Sequence, residues 1–228
     1  MDPNPGNYVF KLAPGFLMHL SHGVCVYTRF ELNEETFGRG IPTVAVISGE
    51  RRRQRCQAEG LTGQIEFVQA DACDTKLPGE AADFVWGEDA WCYVVDKPAL
   101  IAAAARLVKP GGTIAFTDWV EGAAGLDDRQ AERFLRFMKF PNIQDLSGYR
   151  QLLADNGCEV VLAEHTGRFA PYVDLYLNML NMQLTYDALK IIGFDTGLMG
   201  AMAAEMQFMQ QLAHEGRIEQ GLIVARKK

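Results

Sequence analysis

Two carboxylates and two aromatic rings lie close together in Glu88-Asp89-Ala90-Trp91-Cys92-Tyr93, directly after the apolar run Ala82 to Trp86. The faces of an indole and a phenol can hold a cation, and Asp89 can orient a polar group or accept a proton. Packing on a short helix would explain Trp91 and Tyr93 equally well. A second acidic position is Asp71 in Ala70-Asp71-Ala72-Cys73, after the run Gln64 to Gln69. A carboxylate there can accept from an exocyclic amine while the next backbone N–H donates to a ring nitrogen, which is how a protein reads adenine. A strand-end Asp that caps a turn is the alternative. Thr117-Asp118-Trp119-Val120-Glu121 offers the same choice. Arg29 and Arg168 carry the bidentate fork that suits a carboxylate, or they make surface ion pairs. His19 and His22 are one helical turn apart, but no carboxylate or Cys-His cluster completes a ligand set, so no metal site is expected. His22, with Tyr27 and Arg29, is a candidate to face a substrate, or else to pack the sheet edge.

These residues need elements to position them. Pro42 to Ile47, Gln64 to Gln69, Ala82 to Trp86 and Thr113 to Thr117 read as short buried strands. Helices are predicted from Ser48 to about Glu59, and from the Asp96 cap, with Pro98 in its first turn, to Leu107. Strands separated by helices imply crossovers and a parallel sheet. Lys109-Pro110-Gly111-Gly112 reads as a turn. Further helices are expected over Asp127 to Lys139 and Ser147 to Asn156, the latter closed by Gly157. Cys158 to Glu164 and Arg217 to Arg226 are the last strands. The region between them is helical, with Met199, Met202, Met206 and Met209 as a stripe that suits core packing. The expected organisation is an N-terminal lid over 1–40, an α/β core over 41–169, a helical cap over 170–216 and a last core strand over 217–228.

The chain has 228 residues, of which 22 are Lys or Arg and 29 are Asp or Glu, for a net charge of −7. That balance repels phosphates and excludes non-specific nucleic-acid binding. The basic run Arg51-Arg52-Arg53 with Arg55 reads as a solvated helix face. No apolar run is long enough to span a membrane, and the first residues lack a secretory pattern. Five scattered cysteines without a CxxC fit reduced thiols, so a cytoplasmic protein is expected. The methionine stripe also suits a homodimer contact through the cap.

The stretch from Gln64 to Glu121, with "QADA", the post-strand "WGEDAWCY" and "LVKPGG" before the next strand, resembles the class I S-adenosylmethionine-dependent methyltransferases. Within that class it looks most like small-molecule N-methyltransferases of the sarcosine/dimethylglycine and phosphoethanolamine type. The helical cap followed by "GRIEQGLIVARKK" is similar to the end of the sarcosine/dimethylglycine group. The resemblance implies a Rossmann-like α/β fold, mostly parallel with an antiparallel last strand and a helical cap. It implies S-adenosylmethionine as cofactor and a small amine or similar metabolite as substrate. Asp71, Ala72, Trp86 and Glu88 would hold the cofactor, and Asp89 and Tyr93 would act in catalysis. Trp91, Trp119, Arg168 and His22 would bind substrate.

The chain departs from the family pattern at two places. The glycine-rich cofactor loop should follow a strand upstream of Val44, where only Gly38-Arg39-Gly40 stands. The next strand ends at Ile47-Ser48 and lacks the acidic ribose ligand. The first strand-helix unit is therefore not found. The chain reads as shorter than a capped methyltransferase, with the shortfall between about Phe37 and Val44. Three explanations stand: a lost segment, a fold that has turned to ligand binding or cofactor-free catalysis, or an element supplied by a second copy through swapping.

Overall fold

The computed structural model describes residues 70–179 and 193–228, the strands at 24–27, 43–46 and 65–68 by their backbone, and residues 57–58, 186 and 189–190. The histidines at 19 and 22, Arg29, the arginines at 51–53 and 55, Gly38 to Gly40, Ile47-Ser48 and nearly all of the helix expected from Ser48 lie outside the described residues.

An eight-stranded sheet forms the centre. Its strands are β1 (Val24–Tyr27), β2 (Thr43–Val46), β3 (Ile65–Val68), β4 (Ala82–Glu88), β5 (Val108–Glu121), β6 (Gln144–Asp145), β7 (Cys158–His165) and β8 (Ile218–Lys227). Their order is β3-β2-β1-β4-β5-β8-β7, with β6 paired to β5. β2–β3, β4–β5 and β5–β6 are parallel, and β8 runs antiparallel to both β5 and β7. The expected α/β sheet with an antiparallel last strand is therefore present.

The helices are α1 (Lys97–Leu107), α2 (Asp128–Met138), α3 (Leu146–Asp155), α4 (Phe169–Met179) and α5 (Thr196–His214). Their starts follow the local code. Asp96 accepts from the Ala99 N–H at the head of α1. Asp127 and Gln130 form a reciprocal capping box on α2, and Asp145 caps α3. Gly157, at φ 71°, takes the left-handed turn that follows α3.

Alternation along the strands divides the apolar residues. Val85, Ile114, Phe116, Val120 and Ile223 pack with Leu100, Ile101, Leu107 and Leu153 of α1 and α3 in one core. A second core, made by Phe134, Phe140, Phe169, Val173, Met206, Met209, Leu212 and Ile218, joins the cap to the sheet. Met206 and Met209 are buried there, as the stripe predicts, while Met199 and Met202 are half-buried.

Two expectations need correction. Residues 24–27 belong to the sheet, so the N-terminal segment is more than a lid: β1 lies between β2 and β4 and runs antiparallel to both. Tyr27 pairs with Thr43 and Phe84, at the amino ends of β2 and β4, while Val24 pairs with Val46 and Gly87. β1 therefore ends, and β2 begins, at the amino edge of the sheet. The fourth expected strand, Thr113 to Thr117, is also much longer. β5 absorbs the expected Lys109–Gly112 turn, with Gly111 at φ 77°, and continues to Glu121. Asp118 and Trp119 thus sit within a strand, on opposite faces.

Candidate active site

Open α/β sheets receive ligands outside the carboxyl ends of their parallel strands. Glu88 ends β4 at that edge, and Asp89 follows with a left-handed backbone, φ 44°. This conformation is uncommon outside glycine, although Asp tolerates it better than most residues. The Asp89 N–H donates to the Thr117 carbonyl at 2.9 Å, which ties the turn to β5. Asp89 Oδ2 accepts from the Gln220 amide at 2.7 Å. Asp89 Oδ1 is buried with no hydrogen-bond partner among the described residues. Burial pushes the Asp89 carboxyl up, opposed by the Gln220 amide and the Thr117 hydroxyl. Partial burial and the Asp89 charge push Glu88 up as well, opposed by Trp86. Leaving a buried polar atom unmatched costs about 1–3 kcal/mol. Thr117 Oγ1, which also acts on this carboxyl, is likewise buried and without a partner among the described residues, so two unmatched polar atoms meet at this edge.

The loop beyond Asp89 is pinned from below by two buried charges. Asp118 is fully buried and accepts from the Tyr149 hydroxyl at 2.6 Å and from the Cys92 N–H at 2.9 Å. Lys97, only 1% exposed, donates to the Val94 and Cys92 carbonyls at 2.6 and 3.3 Å and to Asn142 Oδ1 at 2.8 Å. Burial pushes the Lys97 ammonium down, countered by Asp118. These bonds hold the single 3-10 turn Trp91–Tyr93 in place.

Burial raises the Asp118 carboxyl to about 6, against the Tyr149, Cys92 and Lys97 contacts. The folded chain then binds this proton more tightly than the unfolded chain does, so the penalty on the ionised form is full above pH 6 and fades as pH falls toward the unfolded value of 3.8. Asp118→Asn is expected to gain thermal stability relative to wild type at pH 7.5 and to lose that advantage by pH about 4. Melting curves at the two pH values check this; parallel pH profiles would rule the buried charge out.

The candidate residues fall into three places. Asp71 is exposed beyond β3, with Oδ1 accepting from the Cys73 N–H at 2.8 Å, and the Ala72 side chain is buried beside it. Trp86 is half-buried within β4 and stacks on Phe84 with centroids 6.3 Å apart. Tyr93 and Trp119 converge on Phe140, with centroids at 4.9 and 5.5 Å, and Trp119 also meets Phe169 of the cap at 4.7 Å. Arg168 is exposed where β7 leads into α4. Trp91 requires a correction: it is 1% exposed, stacked on Phe116 at 3.9 Å, and so belongs to the core and lines no mouth. His22 lies outside the described residues.

Gln220, Tyr149 and Lys97 were not marked by the sequence as parts of this site. Gln220 lies 131 positions from Asp89, so no local spacing could signal it. Lys97 beside Pro98 reads as a surface residue of a helix start. Among the described residues no His, Cys, Asp and Glu cluster could hold a metal, and no helix is long and apolar enough to cross a membrane.

A Rossmann-like sheet with carboxylates at its carboxyl edge and a helical cap describes a ligand-binding α/β protein. Comparison with known proteins makes this specific. Residues 42–116 match the methyltransferase domain family. Phosphoethanolamine N-methyltransferase 3 of Arabidopsis thaliana is 30% identical over 109 residues, 47% of this chain and 21% of that protein. Sarcosine/dimethylglycine N-methyltransferase of Halorhodospira halochloris is 27% identical over 171 residues, 71% of this chain and 55% of that protein. The chain thus spans about half or less of the length of these relatives. Among solved structures, Haemonchus contortus phosphoethanolamine N-methyltransferase 2 in complex with S-adenosyl-L-methionine superposes with a TM-score of 0.60 at 16% identity, covering 76% of this chain and 39% of that one. Residues 42–116 are thus similar to a methyltransferase domain, and the sheet shares the fold of methyltransferases.

Proposed function

We propose that the chain transfers a methyl group from S-adenosylmethionine to a small amine, of the kind for which its relatives are named. The observation that carries this reading is the buried Oδ1 of Asp89 at the carboxyl end of β4, without a partner among the described residues. It suits an amine N–H of the substrate. When bound, S-adenosylmethionine supplies an electrophilic methyl group on a sulfonium. Asp71 and Ala72 would hold its adenine end: Cys73 ties one oxygen of the exposed Asp71, which leaves the other for the exocyclic amine. From β3 to β4 are three strand spacings, roughly 14 Å. Glu88 and Trp86, across that span, would hold the rest of the cofactor.

Asp89 holds the amine and takes its proton when it has one, and Tyr93 orients it. Trp119 provides an apolar wall, and Arg168 pairs with an anionic group of the substrate. His22, which lies outside the described residues, is kept as a substrate-binding candidate on its sequence position alone. The protein works in the cytoplasm, where its scattered cysteines stay reduced. Exposed Tyr172, Leu175 and Leu198 on the cap support a homodimer contact there.

The direction of β1 favours a second reading. Its carboxyl end lies at the amino edge of the sheet, opposite the edge at which the cofactor loop of a methyltransferase begins. A chain that binds a small ligand without methyl transfer would have no need of that loop. Titration calorimetry with S-adenosylmethionine and S-adenosylhomocysteine separates the two. The leading reading predicts binding that weakens about 10- to 100-fold in Asp71→Ala. No heat at millimolar cofactor would favour the second.

A further inference from the structure

We infer that Gln220, locked in place by Thr166, is a positioning residue that aims the Asp89 carboxylate at the amine of a zwitterionic substrate; this rests on the methyl-transfer reading above. Three hydrogen bonds make one directed chain. The Arg168 N–H donates to Thr166 Oγ1 at 3.2 Å. Thr166 Oγ1 donates to Gln220 Oε1 at 3.0 Å, and Gln220 Nε2 donates to Asp89 Oδ2 at 2.7 Å. The Thr166 N–H also donates to the Gln220 carbonyl at 2.8 Å, which fixes the backbone below the amide. With its oxygen engaged by Thr166, the amide turns its NH2 toward the carboxylate. The opposite orientation would set a carbonyl oxygen against a carboxylate oxygen.

Strand register makes the reach possible. Gln220 pairs with Trp119 on β5, while Asp89 hangs from Thr117 on the same strand. The last strand of the chain therefore presents a neutral donor to the loop after β4. Neutrality matters: a Lys or Arg at this position would cancel the charge of Asp89, whereas Gln fixes one oxygen and leaves the negative charge for an ammonium. The other oxygen, Oδ1, has no protein partner among the described residues. The chain of bonds starts at the amide of Arg168, whose side chain is exposed at the same edge. One relay thus links the residue for a cationic group to the residue for an anionic one.

Burial raises the Asp89 carboxyl and hydrogen bonds from Gln220 and Thr117 lower it, while the Asp89 charge in turn pushes up Glu88, Cys92 and Asp118. Loss of the Gln220 donor removes stabilisation of the ionised form, so the Asp89 proton affinity rises. The experiment follows the Asp89 carboxyl carbon by 13C NMR titration, alongside methyl transfer to dimethylglycine. In Gln220→Leu the Asp89 midpoint moves up, kcat/KM falls about 10- to 100-fold and the acid limb of the rate profile shifts to higher pH. Thr166→Val gives a smaller change of the same sign, and Thr166→Ser restores wild-type behaviour because its hydroxyl completes the relay. An unmoved Asp89 midpoint in Gln220→Leu, or Thr166→Ser as impaired as Thr166→Val, would overturn the inference. Absence of methyl transfer by the wild type would instead sink the reaction reading, and the titration would still decide whether Gln220 governs Asp89.

Discussion

Exchange of Asp89 for Asn is expected to lower kcat/KM for methyl transfer about 10²- to 10⁴-fold while the fold survives. Asn is nearly isosteric, tolerates the left-handed backbone at φ 44° and can still accept from Gln220. What it loses is the negative charge. The Asp89 Oδ1 site then faces an ammonium with an uncharged group, and no base remains to take its proton. The expected signature is a large loss of rate with a thermal midpoint near that of wild type. Activity within a few-fold of wild type would show that Asp89 is a turn residue whose buried oxygen has no part in the chemistry.

Trp91→Ala is expected to cost about 3–5 kcal/mol of stability, the usual range for truncating a buried aromatic. The indole lies against Phe116 at 3.9 Å, and Phe116 meets Tyr149 edge-on at 5.0 Å. The indole fits only because residue 87 is glycine: a Cβ there would lie 2.2 Å from Trp91 Nε1. The ring therefore fastens the loop after β4 to the core under α1 and α3. Urea unfolding followed by circular dichroism measures the loss. An unchanged midpoint, with weaker binding of a methylated amine than of its neutral isostere, would return Trp91 to the cation-holding role its sequence position suggests.

The parts of this protein that were legible in its sequence are those decided within a few residues. Asp96 with Pro98, Asp127 with Gln130, and Gly157 fix helix ends through local hydrogen bonds and backbone conformation, and those helices lie within a residue or two of expectation. The last strand and the cap follow from periodicity alone. Long-range pairing decided the rest. Nothing in Val24–Tyr27 states that it inserts between two strands that follow it in the chain, and Lys109–Gly112 reads as a turn until β4 and β8 flank it. At the carboxyl edge, the positions of Asp71, Glu88 and Asp89 just at or beyond strand ends were legible because the strands before them were. The same reasoning misplaced Trp91, because a three-residue helical turn carries no periodicity to say which face is buried. It passed over Gln220 and the Asp118–Tyr149 pair because their partners lie 131 and 31 positions away.

Methyl transfer itself is the most direct test. The protein is incubated with S-adenosylmethionine carrying an isotopically labelled methyl group, together with sarcosine, dimethylglycine or phosphoethanolamine, and the acceptor is weighed by mass spectrometry. The account predicts one labelled methyl group added to an amine of this set by the wild type, and almost none by Asp89→Asn. No label on any acceptor, from a protein that also fails to bind the cofactor, would contradict it and leave a methyltransferase fold turned to another use.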